Sequence, residues 1–244
     1  MTTYVLIHGA ASDSWYWHRV VPLLRARGHA VVAPDLPCED DSATFSDYAE
    51  VVVDAIGHRR ELVLVAQSLG GFTAPLVCDR TSVDLLVMLN AMIPAPGESG
   101  EEWWANTRFG ESFRAKALED GRNPDDDFDP DVVFFHDVPD EVRNEAMARG
   151  VKDQSATPLA EPWPLKRWPD VPTSFIAARQ DRFFPIDFLR RIATERLGID
   201  PHEIDGGHLV ALSRPQELVE LLEQLRLGPN RSRVQVDLER GRDA

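Results

Sequence analysis

The chain has 244 residues, enough to bury one substantial core, and its 41 acidic against 26 basic residues give a formal net charge of −15. Carboxylates spread along the chain repel phosphate backbones and anionic membrane surfaces, which argues against nucleic-acid and membrane partners. Cys38 and Cys78 lack the spacing of a redox pair or of a zinc site, so no metal is expected.

The opening MTTYVLIHGAA has no basic stretch, and its apolar run is too short for a signal peptide. Nowhere do about 20 apolar residues run together as a membrane span requires, so the expectation is a cytoplasmic protein with reduced thiols. Short runs rich in Val, Ile and Leu recur at 4–7, 30–33, 62–66, Leu85–Leu89 and 174–177, with a last short candidate at His202–Ile204. Each is too short for a typical helix and too uniformly apolar for a half-exposed strand, which predicts strands buried on both faces. Between them, helical patterns run over 15–27 up to Gly28, over Phe45–Ile56 after Thr44, and over Ile186–Leu197 from Pro185 to Gly198. A final helix is marked by a capping box of Ser213 with Gln216, by Pro215 in the first turn, and by Leu218, Leu221, Leu222 and Leu225 before Gly228.

Strand alternating with helix predicts an α/β fold, a doubly wound and mainly parallel sheet with its ligand site at the carboxyl ends of the strands. The alternation stops across 94–169, where tryptophans, prolines and the acidic run 125–127 accompany helical segments; this is expected to be a helical cap inserted over the site. The core is then 1–93 with 170–227. The polar stretch 228–244 is a C-terminal extension whose 234–238 portion could dock as an edge strand.

In Leu62-Val63-Leu64-Val65-Ala66-Gln67-Ser68-Leu69-Gly70-Gly71 a buried strand runs straight into a serine flanked by small residues, and then into a helix. Such a turn exposes the serine side chain, and Ala66 and Gly70 let the chains approach closely around it. Ala66 stands where the G-x-S-x-G pattern has its first glycine. A serine before a glycine pair also caps helices, so the run alone weighs nucleophile and cap about equally. His208, in Asp205-Gly206-Gly207-His208, sits on a turn after the last strand, from which it could reach a serine across the sheet. Asp181 lies just past the strand at 174–177; alone it reads equally as a charge favouring the next helix N-terminus. Ser, Asp and His in that order, each just beyond a strand, form a nucleophile, orienting acid and general base. In His8-Gly9-Ala10 the glycine turns the backbone after the first strand, so the amides of Ala10 and Leu69 are expected to form an oxyanion hole. His8 has no partners at metal-ligand spacing and reads as structural.

His8-Gly9-Ala10, Trp15-Tyr16-Trp17, Val21-Pro22-Leu23-Leu24, Gly28-His29 and Pro34-Asp35-Leu36, followed by the Ser68 turn, Asp181 and Gly207-His208, resemble the α/β-hydrolase fold family. The resemblance is to the branch of plant methyl-ester esterases and hydroxynitrile lyases with their bacterial relatives. It implies a sheet of about six strands and a serine esterase that cleaves a small-molecule ester through an acyl-enzyme, without a cofactor. A lyase pattern with a lysine directly after the histidine and a threonine in the opening loop is not met, since Leu209 and Gly9 stand there. Two other readings stay open: a lyase or perhydrolase-type activity in the same site, and a small-molecule receptor that keeps the triad. Oligomeric state is not legible. In the inserted region Trp103, Trp104, Phe109 and Phe113, then Phe134, Phe135, Trp163 and Trp168, offer rings for an apolar pocket, and Trp103 and Trp104 are the residues expected to line it.

Overall fold

The computed structural model describes residues 1–228. The five apolar runs and the short candidate at His202–Ile204 are the strands of one parallel sheet: β1 (Thr3–Ile7), β2 (Ala30–Val32), β3 (Leu62–Gln67), β4 (Leu85–Leu89), β5 (Thr173–Ala178) and β6 (His202–Ile204), in the order β2-β1-β3-β4-β5-β6. Val5 lies opposite Val32 on one side and Leu64 on the other. Every residue of β1, β3 and β4 is buried because each face of the sheet carries its own apolar layer. Alternation of side chains along a strand divides them: Val5, Ile7, Leu64 and Ala66 join one cluster with Phe72 and Phe188, while Tyr4, Leu6, Val63 and Val65 join the other with Trp17, Leu24 and Leu222.

The helices that cover these faces are α1 (Val20–Ala26), α2 (Phe45–Ile56), α3 (Gly70–Arg80), α9 (Ile186–Leu197), α10 (Val210–Ser213) and α11 (Pro215–Leu227). Thr44 starts α2 with a full capping box, its hydroxyl accepting from the Asp47 amide while the Asp47 carboxylate accepts from the Thr44 amide at 2.8 Å. Two expectations are corrected. The helix expected over 15–27 is a 3₁₀ turn, Ser14–Trp17, followed separately by α1. Pro22 has no N–H to give the carbonyl four residues back, so one continuous helix through His18 would lack that bond. The capping box at Ser213 and Gln216 does not form: Ser213 ends α10, its hydroxyl is buried without a partner, and its amide bonds back to Leu209 O. Pro215 does occupy the first turn of α11.

Between β4 and β5 come five helices among the described residues, α4 (Gly100–Asn106), α5 (Phe109–Glu119), α6 (Pro130–Val133), α7 (Asp140–Arg149) and α8 (Thr157–Ala160). Tryptophan N–H groups fasten this segment to the sheet layer: Trp103 donates to Ile93 O and Trp163 to Phe72 O, both at 3.0 Å. A buried ion pair adds to them, Arg196 of α9 donating through both terminal nitrogens to Glu98. Desolvation would raise the Glu98 pKa, but the Arg196, Ala95 and Asn106 donors outweigh it and hold it below the usual value. Among the described residues no helix is long and apolar enough to cross a membrane. The edge strand expected at 234–238 lies outside the described residues.

Candidate active site

The chain leaves β1 toward β2 on one side and returns to β3 on the other, so the crossovers diverge between β1 and β3, where an open α/β sheet leaves a crevice at its carboxyl ends. Ser68 stands there, one residue past β3, at φ +52. That left-handed conformation is costly for a residue with a side chain and persists only because its surroundings enforce it. They do so through backbone contacts: Ser68 N donates to Leu89 O, and Ser68 O accepts from Gly71 N and Met92 N at 3.1 and 3.0 Å. A Cβ on Gly71 would lie 1.9 Å from Met92 O, so α3 can begin here only with glycine at that position. A Cβ on Gly9 would meet Gln67 Oε1 at 2.4 Å and Ser68 Cβ at 2.9 Å, which presses the loop after β1 directly against the serine.

Asp181 follows β5 and is fully buried. Its Oδ1 accepts from the amides of Phe183 and Phe184 at 2.8 and 2.9 Å, and its Oδ2 lies 2.7 Å from His208 Nδ1. The carboxylate thus meets three donors, which offsets the cost of placing it out of water. His208, 3 % exposed, comes from the loop after β6. With Nδ1 donating to Asp181, the neutral ring leaves Nε2 as an acceptor. His8 is also buried; its Nδ1 donates to Gly9 O at 2.8 Å and its Nε2 accepts from Leu36 N at 3.0 Å. The bond from Leu36 needs the neutral ring, and burial lowers the pKa despite the opposing Gly9 bond. This imidazole braces the loop that holds Gly9.

The structure therefore sets Ser68, Asp181 and His208 past the carboxyl ends of β3, β5 and β6, with β4 between the first two, and Gly9 packs against the serine. Trp103 and Trp104 stand one ring further away. Trp103 is fully buried against Phe184 and Phe188, and Trp104 is half-buried against Phe109, Phe183 and Phe184. The rings that touch His208 are Phe134, Phe183 and Phe184, each with its centroid 5.3 Å from the imidazole. Sequence reasoning singled out neither Phe183 nor Phe184, although the pair Phe-Phe two residues after Asp181 was the available signal. It also missed Gln67, which donates to His208 O at 3.4 Å, and the insert's Asp137, which accepts from Gly207 N at 2.8 Å. Among the described residues no group of three or more His, Cys, Asp and Glu side chains is arranged to hold a metal ion.

The sequence and fold are shared with known proteins. Residues 4–221 match the family described as the alpha/beta hydrolase family. The chain belongs to that family. Over 91 % of its length it is 27 % identical to methylesterase 3 of Arabidopsis thaliana, covering 94 % of that protein. It is 24 % identical to the alpha-hydroxynitrile lyase of the same plant, over 91 % of this chain and 96 % of the other. The crystal structure of a pyrethroid hydrolase from Sphingobium faniae JZ-2 superimposes with a TM-score of 0.71 at 25 % identity, covering 93 % of this chain and 98 % of that one.

Proposed function

We propose that this α/β-hydrolase cleaves small carboxylic esters, with Ser68 as nucleophile, His208 as general base and Asp181 as the acid that orients it. The observation that carries the reading is the buried 2.7 Å contact between Asp181 Oδ2 and His208 Nδ1, in a sheet whose β3 ends on a serine in a left-handed turn. Asp181 fixes the tautomer that leaves His208 Nε2 free to accept the Ser68 proton as Oγ attacks the acyl carbonyl. The negative charge on the carbonyl oxygen then faces the amides of Ala10 and Leu69, neither of which donates to a protein acceptor among the described residues. His208 returns the proton to the departing alcohol, and water, deprotonated by the same ring, releases the acid. All of these steps use groups of the chain and water alone.

Among the relatives the methylesterase is by name an esterase and the pyrethroid hydrolase a hydrolase, which supports this chemistry, while the alpha-hydroxynitrile lyase is named for a different one. Phe134, Phe183 and Phe184 around His208 supply an apolar wall, which favours neutral esters with an apolar or aromatic part over anionic ones. The segment 94–169 acts as the cap that brings Phe134 there, and Trp104 shapes the wall from behind. The test is turnover of a panel of neutral aromatic, short aliphatic and carboxylate-bearing esters by the parent and by Ser68→Ala. The parent should turn over the neutral aromatic esters fastest, and the variant should keep its fold and lose the activity. Retention of activity within about tenfold would remove Ser68 as nucleophile, because losing a triad member costs far more than that.

A further inference from the structure

β4 stops at Leu89, and Asn90 turns the chain out of the sheet at φ +43. Its neighbour β5 runs on to Ala178, whose amide on that side has no strand carbonyl opposite it. The side chain of Asn90 fills the gap, Oδ1 accepting from Ala178 N at 2.7 Å, while its own backbone N–H donates to Ile176 O at 2.9 Å. On its other side Nδ2 donates to Gly207 O and His208 O, each at 3.3 Å. An N–H on one side and two carbonyls on the other settle which end of the amide is oxygen and which is nitrogen. Asn90 is fully buried, so water cannot stand in for either end.

We infer that Asn90 is a positioning residue that keeps the acid and the base in register; this rests on the ester-hydrolase reading above. Its carboxamide joins Ala178, whose carbonyl accepts from the Asp181 amide, to the residue that carries the imidazole. The position asks for an acceptor, a donor and tolerance of a left-handed backbone together. Aspartate lacks the donor, serine is too short to span both loops, and glutamine is less tolerant of positive φ. Gln67 also donates to His208 O, but its side chain forms no bond to β5. Asp137 holds the N–H of Gly207 while Asn90 holds its carbonyl, so this residue is gripped from the insert and from the sheet at once.

The experiment uses the full chain labelled with ¹⁵N-histidine, comparing Asn90→Asp and Asn90→Ala with the parent. Asn90→Asp keeps the size and the acceptor toward Ala178 but sets a second oxygen against two carbonyls. With a neutral aromatic ester, kcat should fall on the order of 10- to 100-fold, the scale of a misplaced catalytic group, while KM stays within about twofold because substrate contacts are untouched. In the same samples the proton shared by His208 Nδ1 and Asp181 should move upfield or exchange faster with water, which loss of packing elsewhere would not produce in a folded protein. If Asn90→Ala does not fold, Asn90→Asp and Asn90→Ser carry the test. Folded variants with parental kcat and an unmoved Nδ1 proton would overturn the inference. Full turnover by Ser68→Ala would instead overturn the ester-hydrolase reading, and the Nδ1 proton would still decide the role of Asn90.

Discussion

On the sheet side of the site the chain is held by close backbone approach, with Gly71 under Met92 O and Gly9 against Ser68; on the insert side it is held by large side chains, with Trp103 and Trp163 buried and their N–H groups on core carbonyls. The first construction has no room for an added atom, and it fixes reacting groups to strand ends that cannot move independently. The second depends on apolar area, and it extends outward through Phe134 to Phe128, whose ring is 52 % exposed. The difference teaches that the two sides tolerate change differently. On the proposed reading the sheet side holds the reacting groups, and the insert adds Phe134 to the wall that Phe183 and Phe184 form beside His208.

The largest effect expected from this division is that of Asp181→Asn. The asparagine can still accept from Phe183 and Phe184, so shape and melting temperature should change little, but its amide turns the imidazole to the wrong tautomer. A loss of kcat on the order of 10⁴ is expected, from the behaviour of the serine-protease triad. Steady-state kinetics with a neutral aromatic ester checks it, and near-parental kcat in Asp181→Asn would take the acid role away from this residue.

On the insert side the two neighbouring tryptophans should separate stability from selectivity. Trp103→Ala empties a fully buried site and leaves the Ile93 carbonyl with Arg196 as its remaining side-chain donor, for a loss of about 3–5 kcal/mol in denaturant unfolding. Trp104→Ala, at a half-buried position behind Phe183 and Phe184, should destabilise less. It should shift the ratio of kcat/KM for aromatic over short aliphatic esters by about tenfold, the worth of roughly 1.4 kcal/mol of apolar contact. Equal unfolding costs with no change in selectivity would merge the two roles and break the comparison.

The smallest effect concerns His8, where the sheet-side loop depends on a neutral ring. Burial holds its pKa in the folded chain below the ordinary 6.5. Between that depressed value and 6.5 the unfolded chain binds the proton that the folded chain refuses, so stability from this group is full above about 6.5 and declines as pH falls below it. The slope it adds is at most about 1.4 kcal/mol per pH unit. His8→Gln can accept from Leu36 and donate to Gly9 without titrating, so its melting temperature should fall less between pH 6.5 and 4.5 than that of the parent. Identical profiles would show that the loop does not feel the protonation of His8.

Much of this arrangement was legible from local pattern. Five strands fall where uniform apolar runs placed them and the sixth at the short candidate His202–Ile204, and Ser68, Asp181 and His208 stand just past three of the six. Gly70 was readable as a close-approach residue, although not that it approaches His8 O, while the tighter approach of Gly71 to Met92 O was not read. The helix at 15–27 was misread because its apolar spacing outweighed Pro22, and the capping box at Ser213 because His208 is followed by a helical turn of its own. The insert was the least legible part, since a tryptophan that pins a segment to the core and one that borders a pocket have the same local sequence.

By itself, then, the sequence determined the parallel sheet and the order in which reactive residues meet its carboxyl edge, because burial on both faces and strand-end turns are written in runs of a few residues. Tertiary structure alone decided what holds and surrounds those residues. Asn90 reaches Gly207 across 117 positions and Asp137 reaches the same residue across 70, while Phe134 arrives from the insert to cover His208. Such contacts depend on how distant strand ends and the insert come together in space, and no periodicity within one segment encodes that meeting.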